Sequence, residues 1–206
     1  MGRPRQAILS PDKIYRAALE LVDELGDFTL PGLAKRLSVS TSSIYHHVHG
    51  HPEIINGIRS VIGSDALASG DFFTSGPGWQ DRAAAWARSY RTALGRHAKA
   101  IPLLVGEAVS DHATLGIYEH LAAVLVEQGF TANDVVIAVT VLDSFVLGSA
   151  LDMASPEAAW LADAADQPAL HGAFAGATLT ASRSDLGFGA GVAAITTYLE
   201  GLLGQS

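Results

Sequence analysis

Between Phe28 and Val48 the chain reads FTLPGLAKRLSVSTSSIYHHV, two short apolar stripes at helical spacing separated by Ser38-Val39-Ser40. No other stretch restricts the fold as much. Leu30, Leu33, Ala34 and Leu37 share one face of a first helix, which Thr29 can cap and in which Pro31 takes a first-turn position where a missing N–H is tolerated. Ser40 is suited to cap a second helix, in which Ile44 and Val48 continue the buried stripe that Val39 begins. Thr41, Ser42, Ser43, Tyr45, His46 and His47 are left facing outward, and hydroxyls with imidazoles on an outer face can hydrogen-bond base edges and phosphates in a major groove. Small Ala34 permits a close crossing and Ile44 locks the second helix ten positions on, the spacing of a helix-turn-helix. Ser38 stands where such a turn usually has Gly, and a left-handed Ser costs about 1 kcal/mol, so a slightly altered turn is expected.

The rest of the chain supplies helices nearly everywhere, and the 206 residues as a whole are 49% hydrophobic, enough for a sizeable core in one or two domains. Ser10-Pro11 starts a helix whose stripe Ile14, Ala17, Ala18, Leu21, Val22 and Leu25 ends at Gly26. Gly50 and Pro52 break the chain, and Ile54, Ile55, Ile58 and Ile62 restart it to about Ala68. The Gly/Ser-rich stretch from Ser69 to Gly78 is a candidate boundary inside the helical array. Beyond it Trp79, Ala83, Trp86, Tyr90 and Leu94 recur at steps of three and four, a short helix is expected from Ile101 to Val109, and Ser110 is expected to cap a longer one ending at Gln128-Gly129. Ser155-Pro156-Glu157 suggests another short helix, followed by a weakly patterned, mobile connection to Asp185.

Thr131 and Asp134 form a variant capping box ahead of the most apolar helix, from Val135 to about Asp152, which is apolar on every side and must be covered on two faces. One cover is its own domain, and the other is expected to be a second copy of the chain. The final helix, near 187–203, joins that interface: Phe188, Val192, Ile195, Leu199 and Leu202 form a stripe beside small residues that permit close approach.

Net charge is −8, but it divides unevenly. Residues 1–60 carry seven basic against six acidic groups and the rest six against fifteen, so an acidic bulk sits behind a near-neutral head, an arrangement that orients a molecule on a polyanion. His46, His47, His49 and His51 add positive charge to that head wherever phosphate favours their protonation. Arg3 and Arg5 belong to a short basic arm without apolar periodicity, either a disordered terminus or an arm, mobile in isolation, that lies along phosphates or a minor groove. No cysteine is present, no charged leader precedes an apolar run, and no uninterrupted apolar stretch reaches about 18 residues, so a cytoplasmic protein without membrane association is expected.

The arm Gly2-Arg3-Pro4-Arg5, the first helix ending LELVDELG, and the segments LAKRLSVS (33–40) and IYHHV (44–48) resemble the TetR family of transcriptional regulators. The C-terminal portion resembles it only in helix count, in the sequence LDSFVLG (142–148) and in the long apolar helix. The resemblance implies an all-α chain, with a three-helix helix-turn-helix DNA-binding domain over residues 1–50 and a larger helical effector-binding and dimerisation domain over 51–206. It implies a homodimer on a palindromic operator, with recognition helices about 34 to 36 Å apart. Carried over residue by residue, Ser40, Thr41, Ser42 and His46 would read base edges, and Lys35, Tyr45 and His47 would touch the backbone. A Lys common at the start of the family's fourth helix is replaced here by His51 before Pro52, which would weaken that phosphate contact or make it pH-dependent.

The resemblance further implies a repressor released by a small-molecule inducer, whose binding moves the fourth helix. Trp86, Tyr90, Tyr118, Thr140 and Asp143 are candidate lining residues; the aromatics could equally be core. Asp143 lies among Val139, Leu142, Val146 and Leu147, so it needs a partner, either a ligand or a neighbouring helix or subunit. Metal binding by the His46–His51 cluster is disfavoured, since adjacent helical positions point about 100° apart and Gly50 and Pro52 end regular structure. Ser10-Pro11-Asp12-Lys13 has an acylase-like Ser-x-x-Lys spacing but is explained as a helix start, and Gly187-Phe188-Gly189-Ala190-Gly191 lacks the spacing of a dinucleotide loop. Neither an enzyme nor a bound cofactor is expected. A helical small-molecule-binding or interaction protein without DNA-binding activity is the alternative.

Overall fold

Ser10, in an extended conformation, accepts a hydrogen bond from the Lys13 N–H and starts α1 (Pro11–Leu25), which stops at Gly26 with φ 86°. The computed structural model describes residues 9–68, 76 and 78–203. Arg3 and Arg5, and most of the Ser69–Gly78 stretch read as a boundary, lie outside the described residues. Within them the chain is all-helical: α2 (Leu30–Leu37), α3 (Thr41–Tyr45), α4 (His51–Ala68), α5 (Trp79–Gly95), a 3-10 turn at Ala98–Ala100, α6 (Ile101–Leu104), α7 (His112–Gln128), α8 (Ala132–Asp152), α9 (Pro168–Gly176) and α10 (Arg183–Leu203).

The helix-turn-helix forms as its caps require. Thr29 Oγ1 accepts the Gly32 N–H at 3.1 Å to open α2, and Ser40 Oγ accepts the Ser43 N–H at 3.1 Å to open α3. The expected irregularity at Ser38 is absent. It adopts φ 56°, ψ 41°, a regular left-handed turn in which the Ser38 and Val39 N–H groups bind the Lys35 and Ala34 carbonyls at 3.2 and 3.0 Å. Those bonds offset the roughly 1 kcal/mol of strain a Ser pays there. By contrast α3 is shorter than expected: it ends at Tyr45, and His46 to Val48 form a closing turn before Gly50, at φ 129°, redirects the chain.

α5 is the central element, packing on α4, α7, α8 and α10, while α4 packs on α1, α5 and α7. Trp79, Ala83, Trp86, Tyr90 and Leu94 are all buried along α5. Gly57 lies under the ring of Tyr15, where a Cβ would overlap ring carbons, so α1 and α4 approach closely. α8 turns Ala138, Leu142, Val146 and Ala150 inward and leaves Val136, Ile137, Val141 and Leu151 exposed. α10 buries Phe188, Val192 and Leu199, and Phe145 stacks on Phe188 at 5.8 Å while filling the space above Gly191. Both helices have the length and composition to cross a bilayer, with mean hydropathies of 1.9 and 1.4. Each nevertheless packs one face against the body of the chain.

Several sequence expectations are corrected. Leu25, the last residue of α1 before Gly26, is exposed and does not extend the buried stripe. The helix expected to reach Val109 stops at Leu104, whose carbonyl is taken by Arg59 instead of a fourth-next N–H. Asp111, not Ser110, caps α7, its Oδ1 accepting the Thr114 N–H at 2.9 Å. No helix forms at Ser155–Glu157; the connection instead contains α9, started by Pro168 and burying none of its residues. α10 begins four residues earlier than read, because the Ser182 hydroxyl accepts the Asp185 N–H at 3.0 Å.

Candidate nucleic-acid interface and ligand cavity

α3 is held from behind and open in front. Ile44 and Val48 are fully buried, whereas Ser42, Tyr45, His46 and His47 are exposed, Tyr45 by 52%, and Thr41 is half-buried. Ser40 is exposed, but its hydroxyl caps the helix and lies 2.8 Å from both Ser42 Oγ and Ser43 Oγ. Lys35 is exposed in the last turn of α2, while neighbouring Arg36 is engaged by Glu20 and Glu24 of α1. His51, at the start of α4, is exposed yet stacks flat on buried Phe28, with centroids 4.3 Å apart. Among the described residues no three His, Asp or Glu side chains converge where they could hold a metal ion.

Two connections tie this head to the remaining helices. In the first, Glu53 on α4 accepts the Tyr15 hydroxyl at 3.3 Å and the His49 N–H at 2.6 Å, so α4 grips both α1 and the segment leaving α3. The second grips the C-terminal end of α1. There His97 Nδ1 lies 2.8 Å from Asp23 Oδ2, and Lys99 Nζ donates to the Asp23 and Glu24 carbonyls at 2.8 and 2.9 Å, where a cation suits the helix dipole.

Behind these connections lies a cavity of about 220 Å³. Its apolar wall comes from Leu94, Leu104, Val105, Val109 and Leu147, and its polar groups are Arg59, Tyr90, Glu107, Tyr118 and Asp143. Arg59, on α4 and only 6% exposed, donates through Nη1 to Asn56 Oδ1 at 2.7 Å and the Ala108 carbonyl at 3.0 Å. Its Nη2 donates to the carbonyls of Leu104 and Glu107, the latter at 2.8 Å. One guanidinium thus closes the backbone that follows α6. Tyr118 donates to Asp143 Oδ1 at 2.7 Å, so its oxygen must accept from Tyr90, 3.2 Å away. Burial raises the Asp143 pKa, opposed by the Tyr118 hydrogen bond and the Arg59 charge. Burial likewise pushes Tyr90 up to about 12 and raises Tyr118.

The structure gathers Tyr90, Tyr118 and Asp143 and separates the other two lining candidates. Trp86 is fully buried behind them, its indole N–H bound to the Ile117 carbonyl at 2.7 Å, and does not line the cavity. Thr140 is exposed, donates to the Val136 carbonyl at 2.8 Å, and borders a separate open groove of about 620 Å³ between α7 and α8. Tyr118 borders both spaces. Sequence reading missed Arg59, although a signal existed: it falls between Ile55 and Ile62 at steps of four and three, a charge on a buried stripe.

Residues 74–186 match the family model of the tetracyclin repressor-like C-terminal domain. An HTH-type transcriptional regulator of Saccharopolyspora erythraea is 30% identical over 156 residues, covering 74% of this chain; the matched part is 63% of that relative's length. The crystal structure of a possible TetR family transcriptional regulator from Streptomyces coelicolor A3(2) superposes with a TM-score of 0.79 at 23% identity, over 96% of this chain and all of that one. The Streptomyces coelicolor TetR family protein ActR, in complex with actinorhodin, gives 0.75 at 22% identity over 95% and 98% of the two chains. The exposed helix-turn-helix, the helical body behind it and the match across more than half the chain agree: this protein belongs to the TetR family of transcriptional regulators.

Proposed function

We propose that the chain is a cytoplasmic, ligand-responsive repressor that binds a palindromic operator as a homodimer and is released when a small molecule enters the 220 Å³ cavity. Residues 1–50 act as the DNA-binding domain and 51–206 as the effector and dimerisation domain. Thr41, Ser42 and His46 read bases, with Ser40 joining them if its cap relaxes. Lys35, Tyr45, His47, His51 and the arm residues Arg3 and Arg5 hold phosphates. No catalytic group, metal or cofactor is needed.

One observation carries this reading: Arg59 sits on the helix that also grips the reading head, and its guanidinium clasps three carbonyls of the cavity wall. A ligand that presses on Leu104 or Val105 strains that clasp, and α4 transmits the displacement to α1 and α3. Release then requires that the ligand bind the displaced arrangement more tightly than the operator-bound one. Dimerisation uses the exposed side of α8, from Ile137 to Leu151, with the small residues of α10.

Fluorescence anisotropy with duplex from the protein's own promoter region tests the reading. Affinity should fall steeply with salt, and Tyr45→Ala should weaken it by on the order of tenfold with unchanged helicity and melting. Equal affinity for scrambled duplex, or none for either, would leave only the alternative of a helical ligand-binding protein.

A further inference from the structure

We propose that the cavity selects a cation, a protonated amine carried on a one- or two-ring aromatic body, with Asp143 as its anionic partner. The proposal rests on the reading of this cavity as the effector site and adds the chemical class of the effector.

Hydrogen-bonding capacity in the cavity decides the class of ligand it favours. Arg59 is the single cation among the lining residues, and its four Nη hydrogens are already held by Asn56 Oδ1 and the carbonyls of Leu104, Glu107 and Ala108. Both phenol hydrogens are committed as well, Tyr90 to Tyr118 and Tyr118 to Asp143. Apart from the Arg59 Nε–H, what stays open is acceptor capacity: a carboxylate has about four acceptor sites, and Tyr118 fills one at Asp143. Glu107 adds a second carboxyl group to the lining, against the single guanidinium of Arg59. A ligand must therefore bring donors, and a positive charge is favoured.

An anionic ligand faces the opposite balance. To reach the Arg59 Nη groups it must strip the guanidinium from three backbone carbonyls, of which that of Leu104 keeps one N–H partner, from Glu107, while lying beside two carboxyl groups. The rings of Tyr90 and Tyr118, 5.9 Å apart and edge to face, offer a π face to an ammonium and a packing surface to an aromatic body. Burial already disfavours the lone Asp143 charge, and a cation beside it would relieve that cost.

Three probes with one ring system separate the possibilities by calorimetry at neutral pH: 2-(aminomethyl)naphthalene, 2-naphthalenemethanol and 2-naphthoate. The amine should bind about tenfold more tightly than the alcohol, as charge-assisted hydrogen bonds exceed neutral ones, and the carboxylate should not bind. Asp143→Asn should bring amine and alcohol to within about twofold of each other. The proposal is overturned if 2-naphthoate binds as well as the amine, if the amine's advantage survives Asp143→Asn, or if none of the three binds at millimolar concentration. Leu147→Trp, or Val109→Trp should the first not fold, fills the cavity. Loss of all binding in that variant with no preference for charge in the wild type refutes the cation and keeps the cavity, whereas unchanged binding places the probes elsewhere and refutes the cavity reading itself.

Discussion

Asp143 and Arg59 are charged residues drawn into the fold, as Arg91 also is, and they respond to burial differently. Arg59 is satisfied by backbone carbonyls, so its charge is compensated in the folded chain. Asp143 has one phenol and a distant cation, and its pKa is raised. A carboxyl whose folded pKa exceeds its unfolded value favours the fold at low pH, where it is neutral in both states, and loses that contribution as pH rises through the folded value. Asp143→Asn keeps an acceptor for Tyr118 and removes the titration. The variant should gain thermal stability over the wild type progressively from acid to neutral pH, as read by melting curves at a series of pH values; parallel curves would show that Asp143 is not desolvated. The same signal, a charge on an apolar stripe, marked both residues in the sequence. It singled out Asp143 because Val139, Leu142, Val146 and Leu147 lie around it on the helix, and it passed over Arg59 because a long side chain at a stripe edge can equally reach solvent.

Among the elements, α4 matters most, because it is packed on α1 at one end and fastened to the cavity wall through Arg59 at the other. Its closeness to α1 depends on Gly57, over which Tyr15 lies. In an open helix Gly→Ala stabilises by up to about 1 kcal/mol. Here the added methyl would occupy the Tyr15 ring, so Gly57→Ala should instead destabilise by about 1–3 kcal/mol, and Tyr15→Ala in the same chain should recover part of the loss. Denaturant unfolding measures both, and a Gly57→Ala chain more stable than wild type would mean the helices do not pack this closely. The caps of α1, α2, α3 and α8 were legible because each is a local hydrogen bond within three residues. The ends of α3 and α6 were not: a five-residue recognition helix and a helix stopped at Leu104 depend on Gly50 redirecting the chain and on a guanidinium arriving from 45 residues away.

At the scale of the whole molecule, the single chain leaves an apolar face of α8 uncovered, with Val136, Ile137, Val141 and Leu151 exposed. Arg91, paired with Asp185 at 2.7 Å and lying over Phe188, and Arg183, paired with Asp152 at 2.9 Å, fix α10 against α5 and α8, so the two helices offer one surface. Val141→Glu places a charge in its middle. Sedimentation should then show a fall from two chains to one, with operator affinity lost alongside while monomer helicity is retained; an unchanged mass would place the dimer surface elsewhere.

The sequence by itself determined most of the helices, the caps of α1, α2, α3 and α8, the outward set on α3 and the apolar excess of α8, because each follows from residue periodicity and from bonds that span a few positions. Only the tertiary structure decided which polar residues share a cavity. Tyr90, Tyr118 and Asp143 come together, Trp86 and Thr140 stand apart, and Arg59 enters from a helix read through its isoleucine stripe, since the crossing of α4, α5, α7 and α8 is set by packing among all of them and leaves no local mark on any one.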